Sequence, residues 1–268
     1  MITLPVERQM AALLCVIVAA AAFGAEWQGY ERLTRDEVIA RLSGVQEDVR
    51  PEIYAKNLSD TDLSGIDFRG ANLSASVLNG AKLTSATLDR CNLTVSFLEG
   101  ANLSGASLRD AVVFSAQLAG ANLTSADLTG ARLIGDLRKT DLSRAKLLRV
   151  NAAPDMKNQS MGLMRANIVS AKAIETDFTE ADLSRSDFSF SDLTRAKLAR
   201  AKLYRADLSG TVLKDADLTH TDLRDAVLID TDFTGADLTN ADLTGATFRG
   251  VRGLDTATTA GAQGLPSQ

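Results

Sequence analysis

Ala101-Asn102-Leu103-Ser104-Gly105, Ala121-Asn122-Leu123-Thr124-Ser125 and Ala236-Asp237-Leu238-Thr239-Asn240 repeat one five-residue phrase. A period of five matches neither the 3.6 of an α-helix nor the 2.0 of a flat strand. It therefore demands a coiled architecture of its own. From Leu58 to Leu133 every fifth residue is Leu, Phe or Val, and two residues earlier stands a usually small side chain, most often Ala and once Cys91. One large and one small inward residue per five, with polar residues between, suits a tight four-sided coil. Leu103, Leu123, Leu183, Leu203, Leu223, Phe233 and Leu243 are expected to fill it.

This pattern resembles the pentapeptide repeat family, whose consensus is A-(D/N)-L-x-x. The resemblance implies an all-β solenoid, a right-handed quadrilateral parallel β-helix with four pentapeptides, hence twenty residues, per coil. Over residues 55–254 that gives about nine coils, a rod on the order of 43 Å long at one strand spacing each. Residues i and i+20 then become neighbours, and complementary charge ladders emerge. Glu175, Arg195 and Asp215 form one, Glu180 and Arg200 a second, and Arg90 and Asp110 a third. Lys197 falls between Asp177 and Asp217, and Lys202 between Asp182 and Asp222. Each exposed pair contributes only about 0–1 kcal/mol. Arg165, Arg185 and Arg205 form a same-sign ladder ending at Asp225, read as splayed, solvated side chains, with bidentate anion binding as the alternative.

The count fails once. Leu137, Leu142 and Leu147 come one position early; regularity is then lost around residues 150–161, and the original phase returns at Leu163. A loop extruded near the middle of the rod is expected there. Between Arg132 and Lys172 stand nine Lys/Arg against three Asp/Glu, in a chain of net charge −5. Met156, Lys157, Met161, Met164 and Arg165 in or beside the loop are candidate interaction residues, because methionine suits adaptable contact surfaces. A second candidate is an exposed apolar strip made by Val77 and Phe97, one coil apart at the outward position.

The ends read differently. Arg8 precedes an apolar run from Ala11 to Ala22, too short to span a bilayer comfortably, with small residues before Gly24. Residues 1–24 are expected to be a cleaved signal peptide; an inner-membrane anchor over residues 9–23 is the alternative. Cys15 lies inside the apolar run, which argues against lipoprotein processing, and after cleavage Cys91 alone would remain. Residues 25–54 form an N-terminal cap. Thr34-Arg35-Asp36-Glu37 is a capping box, Leu33 and Val38 can staple it, and a helix over 35–43 ends before Gly44. Trp27 and Tyr30 are expected to help plug the first coil. Residues 255–268, rich in Thr, Ala and Gly, read as a flexible tail, leaving the C-terminal coil uncovered and able to form a homodimer.

Enzymatic chemistry is not expected. His220 is the only histidine and falls in an outward column, and no phosphate loop, nucleophile elbow or Cys/His metal spacing occurs. No catalytic, cofactor or metal residue is assigned. The mild charge does not suit a nucleic-acid binder. The expected function is a noncatalytic scaffold, exported to a bacterial periplasm, that engages an unidentified protein partner, with membrane attachment only if the N-terminal segment is retained. The alternative implied by the resemblance is a DNA-mimicking, topoisomerase-binding protein of the quinolone-resistance type.

Overall fold

The computed structural model describes residues 27, 29–46, 49–154 and 165–266. Residues 101–105 show how the backbone is satisfied. The N–H of Ala101 donates to Leu98 O at 3.0 Å, closing the turn. Asn102 donates down to Ala81 O (2.9 Å), while Leu103 and Gly105 donate up to Asn122 O (2.7 Å) and Thr124 O (2.9 Å). That leaves the N–H of Ser104, which donates to Asn102 Oδ1 at 3.1 Å. Every N–H of the pentapeptide is thus satisfied, as a buried or half-buried backbone requires. The fifth bond is an Asx turn, which is why Asp or Asn recurs before the central residue.

These bonds build four ladders of parallel bridges. The first passes through Asn57, Val77, Phe97, Gln117 and Asp136, then Asn167, Asp187, Asp207, Val227 and Thr247. The second starts at Asp62 and ends at Arg252; the third starts at Asp67 and ends at Thr258. The fourth starts at Glu52 and ends at Gln263. Named strands are short: β1 Glu31–Arg32, β2 Lys56–Asn57, β3 Val112–Gln117, β4 Arg132–Asp136, β5 Ala166–Asn167, β6 Val227–Ile229 and β7 Thr247–Arg249. One hydrophobic cluster runs inside the ladders from Leu33 to Leu243. Leu103, Leu123, Leu183, Leu203, Leu223, Phe233 and Leu243 are all fully buried in it. Each such side chain contributes about 1.5–3 kcal/mol of burial. Where Ser or Thr replaces the small inward Ala, its hydroxyl can donate to a carbonyl of the coil before, as Thr221 does to Leu198 O (2.8 Å), or within its own coil, as Thr140 does to Leu137 O (2.8 Å).

The slip in the count is a β-bulge. Phe114 pairs with Ile134, but Ala116 pairs with Gly135, so Ser115 is the extra residue. From there the offset between coils is 19, as in Asp127 to Lys146, and then 31, as in Lys146 to Asp177, before 20 returns. Gly135 lies so close to the bulge that an added Cβ would sit 2.3 Å from Ala116 O, and its φ is +154°.

At the N-terminus, β1 pairs with β2 and helix α1 (Arg35–Ser43) covers the end of the core. Thr34 and Glu37 make both bonds of the capping box, and Leu33, Val38 and Leu42 are buried. Arginines satisfy the open edge: Arg35 donates to the carbonyls of Asp62 (2.9 Å) and Ser64 (3.0 Å), and Arg32 to Ser59 O (3.2 Å).

The C-terminal expectation is corrected. Residues 255–266 are not a loose tail; Thr258 and Gln263 bridge Asp237 and Asp242. The central position just before this stretch falls on Gly253, where an added Cβ would lie 2.3 Å from Thr234 N. With no side chain there, the backbone closes onto the coil beneath. Leu254, Ala257, Ala262 and Leu265 then pack against the last core layer. The small residues that suggest flexibility are those a contracted closing turn needs.

Two outcomes are expected. Gly135→Ala should lower stability by about 1–3 kcal/mol in denaturant unfolding, whereas Gly120→Ala, with nothing within 4 Å of its Cβ, should cost about 1 kcal/mol through its backbone alone. The second concerns acid. The hydroxyl and N–H of Thr239 hold the Asp237 carboxyl below its ordinary 3.8, and Ser64 does the same for Asp62. Carboxyls depressed on folding stabilise the rod fully above pH 3.8, and that stabilisation is lost as pH falls below it. The melting temperature should therefore drop below about pH 4. Asp237→Asn, which keeps the acceptor oxygen without the charge, should make the drop shallower.

Candidate interaction surfaces

Val77 and Phe97 are not an exposed strip. They are 0% and 5% exposed, and with Val95 they form a satellite cluster outside the main core. Trp27 and Tyr30 cover them: the Trp27 ring centroid lies 4.6 Å from that of Phe97 and 5.7 Å from that of Tyr30. These aromatics therefore clasp the side of the rod instead of plugging its end. An apolar patch in two consecutive coils left them a better burial site there. The cost to the ladder is offset locally, because Asn79 Oδ1 accepts the N–H of Glu99 (3.0 Å) that an Asx residue at Phe97 would have taken.

The loop residues Met156, Lys157, Met161 and Met164 lie outside the described residues. Arg165 is described, and it is not splayed. It donates to Asp187 Oδ2 at 2.8 Å, a carboxylate 8% exposed whose other oxygen accepts from Ser189. Arg205 reaches Asp225 at 3.1 Å and lies over the Tyr204 ring, 5.1 Å from its centroid. The same-sign arginine ladder is thus largely neutralised.

The basic coil is less so. Arg138 is tied to Asp136 at 2.6 Å; burial opposes the carboxylate charge, but the guanidinium and backbone N–H of Arg138 hold it below the usual range. Lys139, Arg144, Lys146 and Arg149 are exposed and make no salt bridge among the described residues. In the next coils Arg195 meets Glu175 at 2.8 Å, Arg200 meets Glu180 at 3.8 Å and Lys202 meets Asp182 at 3.4 Å. Arg90 and Asp110 make no salt bridge with each other, and neither do Lys197 and its ladder neighbours Asp177 and Asp217.

Sequence reasoning missed Phe190. It is 69% exposed with a left-handed φ of 60°, and its ring reaches over Gly210. The available signal was a phenylalanine at a turn position whose neighbours one coil away are Ser170 and Gly210. A cleft of about 280 Å³ also opens between α1 and the first coil, lined by Arg35, Ile39, Leu42, Ile66 and Arg69. Cys91 is buried at an alanine position, and that burial pushes its thiol pKa up to about 12. Among the described residues no group of three or more His, Cys, Asp and Glu could hold a metal ion. No helix among them is long and apolar enough to cross a membrane.

A family model described as Pentapeptide repeats matches the chain in 8 copies, spanning residues 57–94, 96–130, 114–152 and 163–198 and continuing to 250. The chain belongs to the pentapeptide repeat family. Several solved structures of such proteins are similar to it. The HetL protein of the cyanobacterium Nostoc sp. strain PCC 7120, involved in heterocyst differentiation regulation, is 27% identical; the match covers 88% of this chain and all of that one, with a TM-score of 0.38. QnrB1, a plasmid-mediated fluoroquinolone resistance protein, is 19% identical over 73% of this chain and 81% of its own, with a TM-score of 0.36. A thylakoid-lumen pentapeptide repeat protein of Arabidopsis thaliana is 25% identical over 53% and 68%, with a TM-score of 0.14. No curated protein matches the chain.

The aromatic clasp has a checkable consequence. Trp27→Ala should uncover Val77 and Phe97, raising dye binding to exposed apolar surface and hydrogen exchange at the N-terminal coils. Thermal unfolding of the C-terminal coils should be nearly unchanged, because repeat arrays feel mainly nearest neighbours.

Proposed function

We propose that this pentapeptide repeat protein is a noncatalytic scaffold: a right-handed, four-sided rod that presents its sides to a protein partner. One observation carries this reading. The Asp and Asn side chains that could serve chemistry are bound to their own backbone, as Asp177 is to Thr179, Asp217 to Thr219 and Asp242 to Thr244. Side chains occupied in this way maintain the coil and are not free to act on a substrate. The residues released from that duty are the turn-position charges, Phe190 and the loop near 150–161, all of which are contact chemistry.

Export to the periplasm belongs to the same proposal, supported by the apolar run and small residues before Gly24. The partner is another protein of that compartment; a second copy meeting through the C-terminal coil is one form of it, supported by the partly buried Phe248, Val251 and Leu265 there. Fractionation of the host with intact-mass measurement tests the location. Periplasmic protein beginning at Ala25 is expected, and cytoplasmic protein retaining residues 1–24 would overturn it. Affinity capture with and without residues 150–161 tests the loop. Loss of specific partners is expected on deletion, and an unchanged set would count against the loop.

A further inference from the structure

The third ladder carries its charge in transverse stripes. In one coil Arg144 and Arg149 flank Lys146; in the next, Glu175 and Glu180 flank Asp177. The coil after presents Arg195, Lys197 and Arg200, and the one after that Asp215 and Asp217 beside His220. The coils stack in that order, about 4.8 Å apart. The signs read plus, minus, plus, minus.

The other ladders do not sustain this over four coils; the fourth does so over only two, where Arg200, Lys202 and Arg205 precede Asp222 and Asp225. Along the second, Lys139, Asp141 and Arg144 share a coil, as do Phe190, Asp192 and Arg195. Along the first, Arg185, Asp187 and Phe190 do. The centres of the acidic stripes also serve the backbone, Asp177 accepting from Thr179 and Asp217 from Thr219, but the centres of the basic stripes do not. Lys146 and Lys197 stand where Asp or Asn would accept the N–H two residues on, and lysine offers no acceptor.

We propose that this surface binds a second copy of the chain, side against side and antiparallel. Two faces stacked on each other are related by a twofold axis lying in the plane between them. An axis across the rods, between the Asp177 and Lys197 coils, reverses the order of the stripes and brings plus against minus at all four levels. Lys146 then meets Asp217 of the partner subunit, Asp177 meets the partner's Lys197, and Arg144 meets the partner's Asp215. An axis along the rods places like on like and is repelled. Beyond the stripes Asp127 would face the partner's Asp237, which limits the overlap. Four levels of one side bury less than the roughly 800 Å² per partner of a stable complex, so the dimer is weak and sensitive to salt.

Sedimentation velocity on the full chain tests this. Dimer is expected at low ionic strength and monomer at several hundred millimolar salt, where exposed charges are screened within a few ångströms. Arg144→Glu and Asp215→Arg should each weaken self-association at least tenfold, since each sets like charges against each other across the axis; both should fold, because this column already alternates between these charge types. An equimolar mixture of the two should restore it, because each new charge faces its opposite only in the mixed dimer. A strict monomer at every salt concentration, or no recovery on mixing, would overturn the proposal. So would a dimer that neither variant affects, a result pointing instead to contact through the C-terminal coil.

Discussion

The rod depends on one hydrogen bond per pentapeptide that the coil cannot make by itself. Four of the five N–H groups in residues 101–105 find carbonyls in the turn or in adjacent coils, and the fifth needs a side-chain oxygen. That need places Asp or Asn before the central residue, and the next residue, often Ser or Thr, can reinforce it, as Thr129 does with Asp127 at 2.6 Å. An unpaired N–H repeated at every turn would cost more than a marginally stable chain can bear. The repeating acidic residues of this chain therefore reflect backbone chemistry before any function.

The exceptions are informative for the same reason. Val77 and Phe97 decline the Asx role, and the apolar surface they create is closed by Trp27 and Tyr30. Ser107 cannot replace Asp either, so Asp89 reaches across from the previous coil to accept the N–H of Arg109 at 2.9 Å. At the bulge, Ser115 adds a residue and Gly135 absorbs the close approach. Each of these departures is met locally. Defects in a stacked array do not propagate, because each coil contacts only its neighbours.

Much of this was legible in order of residues. A five-residue period, a Leu centre and a capping box at Thr34 each follow from local rules, and the family model matches the repeat they describe. What escaped were long-range choices. Nothing local tells whether Trp27 covers the end of a coil or its side, because that depends on which apolar surface is left bare. Residues 255–266 were misread because Gly, Ala and Thr suit both a loose tail and a contracted coil. Only the register of Thr258 and Gln263 against Asp237 and Asp242 decides between them. Phe190 was missed because its turn position carries no hydrophobic rule at all.

That last position is where the fold leaves the sequence most freedom. The turn residue must adopt a left-handed φ, near 58° at Glu175, 57° at Arg195 and 53° at Asp215, but its side chain points away from every backbone bond the coil needs. Glycine suits such a conformation best, and Arg or Glu there costs backbone strain of order 1 kcal/mol. A chain under no demand beyond folding would drift toward Gly or Asn at these positions, as it does at Gly235 and Asn240. Through the coils from Arg144 to Asp215 it instead holds charges, like beside like across a side and opposite along the rod. Inter-coil pairing explains the alternation along the rod. It does not explain why both edges and the centre share a sign in the stripes at Lys146, Asp177 and Lys197, and one edge and the centre at Asp217; a complementary surface lying across the rod does.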